Sequence, residues 1–366
     1  MKVTCPRDRL VDQLAKAERV VGKNPSLPVL SCVLLSAEGR TLRLQATNLD
    51  LSFEAELTAT VEAPGQVAVP GSVLASYVSG LSFESKLALS LEGGNLRVAG
   101  ERSDTLIKAV PHEDFPVLPK LAGGETFPVE AADLVAGFRA VFYAAATTAM
   151  KPELASVFVH ADDGHLTFVA TDSFRLAEKK VPARGAEDFQ GALVPARNVA
   201  EIVRVFEGAR EPVEVRHDRS QVSFSVPGTY VSSRTIDGAF PDYRQIIPKS
   251  NATEVICLKQ DAISALRLST VFADKFNQVT LLADPKAGVF AVETKSAERG
   301  ESKTTVPATV RGEAVSLSFN QRYIADCFSS IASDSVRFRF SGIGKAMVIG
   351  GVSDPSFTYL VMPINR

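Results

Sequence analysis

The chain has 366 residues, 45% hydrophobic and 22% charged, a balance that excludes a disordered polymer and leaves room for two or three globular cores. No run reaches the roughly 20 apolar residues of a membrane helix, and Met1-Lys2-Val3-Thr4-Cys5-Pro6-Arg7 is charged too early for a signal peptide, so a soluble cytoplasmic protein is expected. The formal net charge of −2 supplies no bulk attraction to nucleic acid.

In chain order, a short strand at Val3-Thr4-Cys5 leads into a predicted helix over 9–21, whose Leu10, Leu14, Ala17 and Val21 share one face. Alternating segments such as Thr41-Leu42-Arg43-Leu44-Gln45-Ala46 read as strands. Val67-Ala68-Val69-Pro70 then opens a second predicted helix over 71–81, and Asp114-Phe115-Pro116 closes the unit. The same order returns with Thr126-Phe127-Pro128-Val129 before a helix over 132–145, Ala192-Leu193-Val194-Pro195 before 196–206, and Phe240-Pro241-Asp242. It returns again with Val255-Ile256-Cys257 before 260–271, Leu317-Ser318-Phe319-Asn320 before 321–331, and Met362-Pro363. Pro70, Pro195 and Asn320 stand 125 residues apart at each step. Proline suits a helix start because no N–H bond is required there, and asparagine caps the orphan donors.

The expected fold class is therefore α+β: three repeated domains, 1–123, 124–249 and 250–366, each with two helices packed on antiparallel sheets. Tandem copies on short connectors tend to repeat one rotation and so build an arc. An arc that closes with a second copy also removes exposed sheet edges at its ends.

Chemistry-bearing patterns are missing. Cys5, Cys32, Cys257 and Cys327 form no C-x-x-C pair and read as small buried hydrophobes. Of the four histidines, His160 and His165 flank Asp162-Asp163-Gly164, a hairpin-turn signal. Ser341-Gly342-Ile343-Gly344-Lys345 leads to another apolar strand, so it reads as a turn and not as a dinucleotide loop. No catalytic residue, metal or cofactor is expected, and a non-enzymatic role follows.

Ala170-Thr171-Asp172-Ser173-Phe174-Arg175-Leu176-Ala177, Asp237-Gly238-Ala239-Phe240-Pro241-Asp242-Tyr243-Arg244 and Tyr359-Leu360-Val361-Met362-Pro363-Ile364 resemble signatures of the bacterial sliding clamps, the beta subunits of DNA polymerase III. Asn24-Pro25-Ser26-Leu27-Pro28-Val29-Leu30 resembles the first-domain loop and strand of that family. The resemblance spans the chain and implies the DNA clamp fold, a head-to-tail homodimeric ring. Such a ring threads double-stranded DNA without sequence specificity and tethers polymerase for processivity. It further implies, as partners, the DNA polymerase III alpha subunit, an ATP-driven clamp loader and other clamp-motif peptides.

A threaded ring needs little direct affinity, only local cations on lining helices. Arg9 and Lys16 recur at seven-residue spacing on the first helix and continue to Lys23; Arg197 and Arg204 repeat the spacing on the fourth. Arg139, Arg267 and Arg322 are further candidates on other helices. The resemblance maps two DNA-touching loops onto Lys23-Asn24 and 147–151. There Asn24 stands where the family carries arginine and Thr148 where it carries glutamine, leaving Lys23 and Lys151 to supply charge.

The resemblance also implies a partner-peptide groove at Leu154, Thr171, Ser173, Phe174, Arg175, Leu176, Pro241, Val361, Met362, Pro363 and Ile364. Leu176, Val361 and Met362 are expected to form an adaptable apolar pocket, with Arg175 orienting an extended chain. Leu106, Leu268 and Phe272 are the expected apolar contributors to the dimer seam. From the residues alone, a peptide-binding structural scaffold that does not encircle DNA remains the alternative.

Overall fold

The computed structural model describes residues 1–22, 26–118, 120–187 and 189–364. Among them are six α-helices: α1 (Arg7–Val20), α2 (Gly71–Gly80), α3 (Ala131–Val141), α4 (Ala196–Phe206), α5 (Lys259–Thr270) and α6 (Gln321–Asp326). They start where the repeat places them. Two end early: α3 and α6 each tighten into a 3-10 turn, Phe142–Ala144 and Cys327–Ser330, which gives the last carbonyls closer partners. A third departure lies at Pro28–Ser31, a 3-10 turn where a strand was expected; the strand begins only at Cys32. Proline at the head of that segment has no N–H for a ladder. Asn320 caps α6 as its residue type suggests, its Oδ1 accepting the Arg322 N–H at 3.0 Å.

The described chain divides into two compact units that cut through the second expected domain. Strand pairing is the reason. In the first unit, an antiparallel eight-stranded sheet runs Glu125–Val129, Val213–His217, Gln221–Val226, Thr229–Arg234, Leu51–Thr58, Thr41–Thr47, Cys32–Glu38, Gly65–Pro70. Its middle joint, Thr229↔Ala55 through Ser233↔Leu51, hydrogen-bonds the second repeat to the first. A separate five-stranded sheet runs Thr60–Ala63, Lys2–Pro6, Lys86–Glu92, Asn95–Ala99, Asp104–Ile107. Helix α1 packs its Leu10, Leu14, Ala17 and Val20 inward against the strands Thr41–Thr47 and Leu51–Thr58 and beside α2.

In the second unit, a nine-stranded sheet runs Ala192–Pro195, Ser156–Asp162, His165–Thr171, Arg175–Pro182, Phe357–Val361, Met347–Gly351, Ser335–Phe340, Thr253–Leu258, Ala308–Gly312. Here the third repeat joins the second, Arg175↔Val361 through Lys179↔Phe357. A four-stranded sheet runs Gly300–Val306, Val289–Ser296, Gln278–Asp284, Val315–Asn320. Helix α6 is tied to α5 by the buried Gln321 amide, which donates to the Leu266 carbonyl at 2.6 Å and to the Thr270 hydroxyl.

Both glycine-bearing turns read from the sequence are present. Asp163 and Gly164 adopt φ 48° and 75° between Ser156–Asp162 and His165–Thr171, and Gly342 and Gly344 adopt φ 106° and 75° before Met347–Gly351. Among the described residues no helix is long and apolar enough to cross a membrane.

Gly137 shows how closely α3 lies on its sheet. The Phe138 and Phe168 rings meet edge to face at 4.8 Å, and a Cβ on Gly137 would stand 2.4 Å from the Phe168 ring. Gly137→Ala gains about 0.5–1 kcal/mol of helix propensity but overpacks a core at a cost of about 1–3 kcal/mol. Overpacking wins, and the expected outcome is a lower urea midpoint with an unchanged slope.

Candidate functional site

The expected groove residues all lie in the second unit, around the joint between Arg175–Pro182 and Phe357–Val361. The chain enters this region through a tight loop. Thr171 Oγ1 donates to the Arg175 carbonyl at 2.6 Å and accepts the Ser173 N–H at 3.1 Å, while Asp172 Oδ1 accepts the N–H groups of Phe174 and Arg175, both at 3.0 Å. Ser173 is held at φ 77°, in the left-handed region that a non-glycine residue adopts only when its surroundings over-determine it. The result is a rigid pedestal that leaves Phe174 60% exposed. The tail closes against it, the Met362 N–H donating to the Phe174 carbonyl at 2.8 Å. Met362 is partly exposed, Pro363 is buried, and Ile364 donates its N–H to Ser318 at 2.8 Å.

Strand register divides the remaining groove residues between two faces. Leu176 lies opposite Leu360, and Arg175 lies opposite Val361. Side chains of paired residues share a face and neighbours along a strand do not. Leu176 and Val361 therefore point to opposite sides, and both are buried. Leu176 belongs to an apolar cluster with Val169, Leu360, Val348, Ala346 and Tyr243, against which Phe240 and Ile247 pack. Leu360, Ala346, Val348, Tyr243 and Ile247 were missed from sequence. The two-residue alternation through Tyr359-Leu360-Val361 was the available signal. Pro241 is exposed between Phe240 and Tyr243, while Leu154 is buried at the base of the loop 145–155, where its carbonyl accepts the Ala146 N–H at 2.8 Å.

On the other face Arg175 is already occupied. Its Nε donates to Asp172 at 3.0 Å, one terminal nitrogen to Asp326 at 2.5 Å and the other to the Tyr143 carbonyl at 2.7 Å. The guanidinium also lies over the Tyr323 ring at 4.6 Å. Burial pushes the phenol of Tyr143 well above its ordinary range, so it is neutral where it meets the Ser330 hydroxyl at 3.3 Å. Arg175 thus fastens the 171–175 loop to α6 and to the turn after α3.

The segment over the Leu176 cluster is fixed by stacked rings. Phe158 stacks on His160 at 4.8 Å and on Phe240 at 5.2 Å, and His160 Nε2 lies 3.3 Å from the Tyr243 hydroxyl. Burial lowers the His160 pKa and keeps the ring neutral in this apolar stack. Asp162, read as part of a solvated turn, holds Lys180 at 3.1 Å and Arg244 at 2.9 Å.

Of the basic residues, Arg9 is exposed on α1, and Lys16 lies 3.1 Å from Asp12 on the same helix. On α4, Arg197 meets Asp50 at 2.7 Å and Arg204 meets Glu201 at 2.5 Å. Thr148 and Lys151 are exposed in the 145–155 loop, and Arg139, Arg267 and Arg322 are exposed on their helices. Lys23 and Asn24 lie outside the described residues.

At the expected seam, Leu106 is 54% and Leu268 55% exposed, whereas Phe272 is only partly so. Val271 and Phe276, which sequence reading passed over, are each 62% exposed a few residues along the chain from Leu268. Among the described residues no group of three or more His, Cys, Asp or Glu could hold a metal. Burial pushes the thiols of Cys5 and Cys257 up to about 12, which keeps them protonated and unreactive.

Three family models match in tandem: the N-terminal domain of the DNA polymerase III beta subunit over residues 1–119, its central domain over 129–242, and its C-terminal domain over 244–365. A beta sliding clamp of Caulobacter vibrioides is 31% identical, with 100% of each chain covered. The crystal structure of the DNA polymerase III beta subunit from Thermotoga maritima matches at a TM-score of 0.94 and 26% identity, covering 100% of this chain and 99% of that one. A DnaN sliding clamp from Bartonella birtlesii, bound to griselimycin, matches at 0.93 and 27% identity with 100% of both chains covered.

Replacing Arg175 by Met keeps the aliphatic stem and removes three donors. Asp172, with its side chain 14% exposed, then loses its cation. Stranding a part-buried charge costs about 2–3 kcal/mol, so the urea midpoint of Arg175→Met should fall, and Arg175→Lys, which cannot span three acceptors, should recover only part of it.

Proposed function

Because the chain belongs to the DNA polymerase III beta-subunit family, the bacterial sliding clamps, we propose that two copies close head to tail into a ring around duplex DNA. The ring tethers the polymerase and other replication and repair proteins, and the chain adds no catalysis of its own.

The observation that carries this reading is which strands are left unpaired. Within the chain, the last strand of one repeat always pairs with the fourth strand of the repeat before it: Thr229–Arg234 with Leu51–Thr58, then Phe357–Val361 with Arg175–Pro182. The same rule leaves two strands over. Asp104–Ile107, last in the first repeat, ends the five-stranded sheet, and Gly300–Val306, fourth in the third repeat, ends the four-stranded sheet. Exposed edges of this kind invite pairing. Pairing one protomer's first edge with its partner's second repeats the internal joint at both seams and covers both of these edges. Leu106 on the first edge and Leu268, Phe272 and Val271 on and after α5, which packs on Gly300–Val306, supply the apolar contact.

A closed ring holds DNA by topology, which reconciles a net charge of −2 with a nucleic-acid partner. Arg9, Lys16, Arg197 and Arg204 are proposed to meet phosphates from the helix surfaces, with Thr148 and Lys151 from the 145–155 loop, and with Lys23 and Asn24, which lie outside the described residues. Exposed ion pairs such as Arg204–Glu201 and Lys16–Asp12 are worth about 0–1 kcal/mol. Their cations can therefore exchange a carboxylate for a phosphate at little cost, without sequence preference.

The partner groove is proposed at Phe174, Met362 and the surface around Pro241, with Leu176 as its floor and Val361 behind it; Leu154, Thr171, Ser173, Arg175, Pro363 and Ile364 shape it. An extended segment with apolar anchors fits, and tethering raises its effective concentration so that modest affinity suffices. The DNA polymerase III alpha subunit and a clamp loader are the proposed sources. The rival scaffold that never encircles DNA gives no account of the matched pair of open edges.

Loaded onto nicked circular DNA by a clamp loader, the chain should stay bound through gel filtration and be lost once the circle is linearised; equal loss from both would sink the ring. Phe174→Ala with Met362→Ala should weaken an alpha-subunit tail peptide at least about tenfold by titration, one factor of ten being about 1.4 kcal/mol, with the dimer intact. An unchanged affinity would remove this surface from the site.

A further inference from the structure

One buried carboxylate holds the turn that leads into the first open edge. Glu84 is 5% exposed, in the turn just after α2. Its Oε2 accepts the Glu101 N–H at 2.8 Å, and its Oε1 accepts the Arg102 N–H at 2.9 Å and the Ser103 hydroxyl at 2.9 Å. Those three residues form the turn, closed by the Gly100 N–H on the Ser103 carbonyl at 2.8 Å, that delivers the chain into the edge strand Asp104–Ile107. The N–H groups of Arg102 and Glu101 hold the Glu84 carboxyl below the usual carboxylate range, so it is ionised at neutral pH.

Two further observations point to the same strand. A Cβ at Gly100 would stand 2.3 Å from the Glu84 carboxyl carbon, at a residue whose φ is not in the left-handed region. Glycine is needed there for the close approach of the acid and not for backbone freedom. From the neighbouring strand, Arg97 donates to Asp104 at 2.9 and 2.5 Å and to Glu92 at 2.9 Å, so the first residue of the edge is gripped from the other side. The turn at 84 is anchored in turn, the Glu84 N–H donating to Leu81 at 3.0 Å and the Arg7 N–H to Ser85 at 3.0 Å. Directly before the acid, Phe83 is 59% exposed; two residues after Asp104, Leu106 is 54% exposed.

We propose that Glu84 is the positioning residue of the seam: its carboxylate fixes the 100–103 turn, sets the register of the edge strand for a second copy of this chain, and holds Phe83 out as an added apolar contact beside Leu106. The proposal rests on the seam reading above. A turn-to-turn clamp of this kind removes the disorder that an edge strand otherwise loses on association, so it acts on the dimer constant more than on the core of the sheet. Glu84→Gln keeps shape and volume but presents an amide N–H₂ where one acceptor stood, opposing a backbone donor.

The test is sedimentation equilibrium on the full chain, with hydrogen exchange on the same samples. Glu84→Gln is expected to raise the dimer dissociation constant by about tenfold, as loss of one charge-assisted bond implies. Its exchange should quicken over 101–107 and stay unchanged over Lys86–Glu92. Gly100→Ala, which drives a methyl group into the carboxyl from the opposite side, should weaken the dimer likewise, and Phe83→Ser should weaken it without altering exchange in the turn. A wild-type dimer constant for both Glu84→Gln and Gly100→Ala overturns the proposal, as does exchange that quickens across the whole five-stranded sheet. Leu106→Arg separates the two readings: it should give monomers, and if it leaves the dimer intact the seam itself is misplaced.

Discussion

Antiparallel backbone pairing across repeat boundaries is the constraint on which the rest of this protein depends. A strand at the end of a sheet presents a row of unmet N–H and C=O groups, and the fold answers that need by joining the last strand of each repeat to the fourth strand of its predecessor. These joints explain why the compact units cut through the second repeat, since a shared ladder binds strands more tightly than sequence adjacency does. They also define what is left over, one strand in each of the two smaller sheets. A chain built on such a rule carries its own instruction for assembly, because the leftover edges are complementary members of the same joint.

The candidate groove grows from one of these joints. Where Arg175–Pro182 meets Phe357–Val361, the tail of the chain lies beside a loop whose conformation is set by Thr171 and Asp172 and locked from behind by Arg175. Three acceptors and an aromatic face consume the guanidinium, so rigidity, and with it the outward placement of Phe174, is its contribution. A preorganised rim loses little entropy when an extended segment settles on it. The apolar floor is a packed cluster instead of an empty cleft, and its lid of stacked rings comes from the segment around Phe240 and Tyr243. In the proposed groove, binding strength comes from the exposed rim, with the floor providing support.

Charge follows the same economy. The cations on α1 and α4 sit in weak surface pairs with neighbouring acids, and the chain as a whole is slightly acidic. In the proposed ring, enclosure does what affinity would otherwise have to do, and weak surface pairs that exchange readily suit the proposed phosphate contacts.

Much of this was legible in the residues. The spacing of Pro70, Pro195 and Asn320, together with apolar faces at helical period, located all six helices and their α+β setting, because capping chemistry and periodicity are local. The 171–175 loop was singled out only by its resemblance to a family signature, although its bonding by Thr171 and Asp172 is just as local. What local chemistry could not supply was which strand pairs with which. Register decided that Leu176 faces Leu360 and turns its back on Val361, that Arg175 spends itself on Asp326 and Tyr143, and that Glu84 reaches residues 101–103. Those contacts join residues from 17 positions apart, Glu84 and Glu101, to 184, Leu176 and Leu360. Sequence pattern determined the elements and their repetition; only the tertiary structure decided their partners, because hydrogen bonding between strands is long-range and is selected by the packing of the whole sheet.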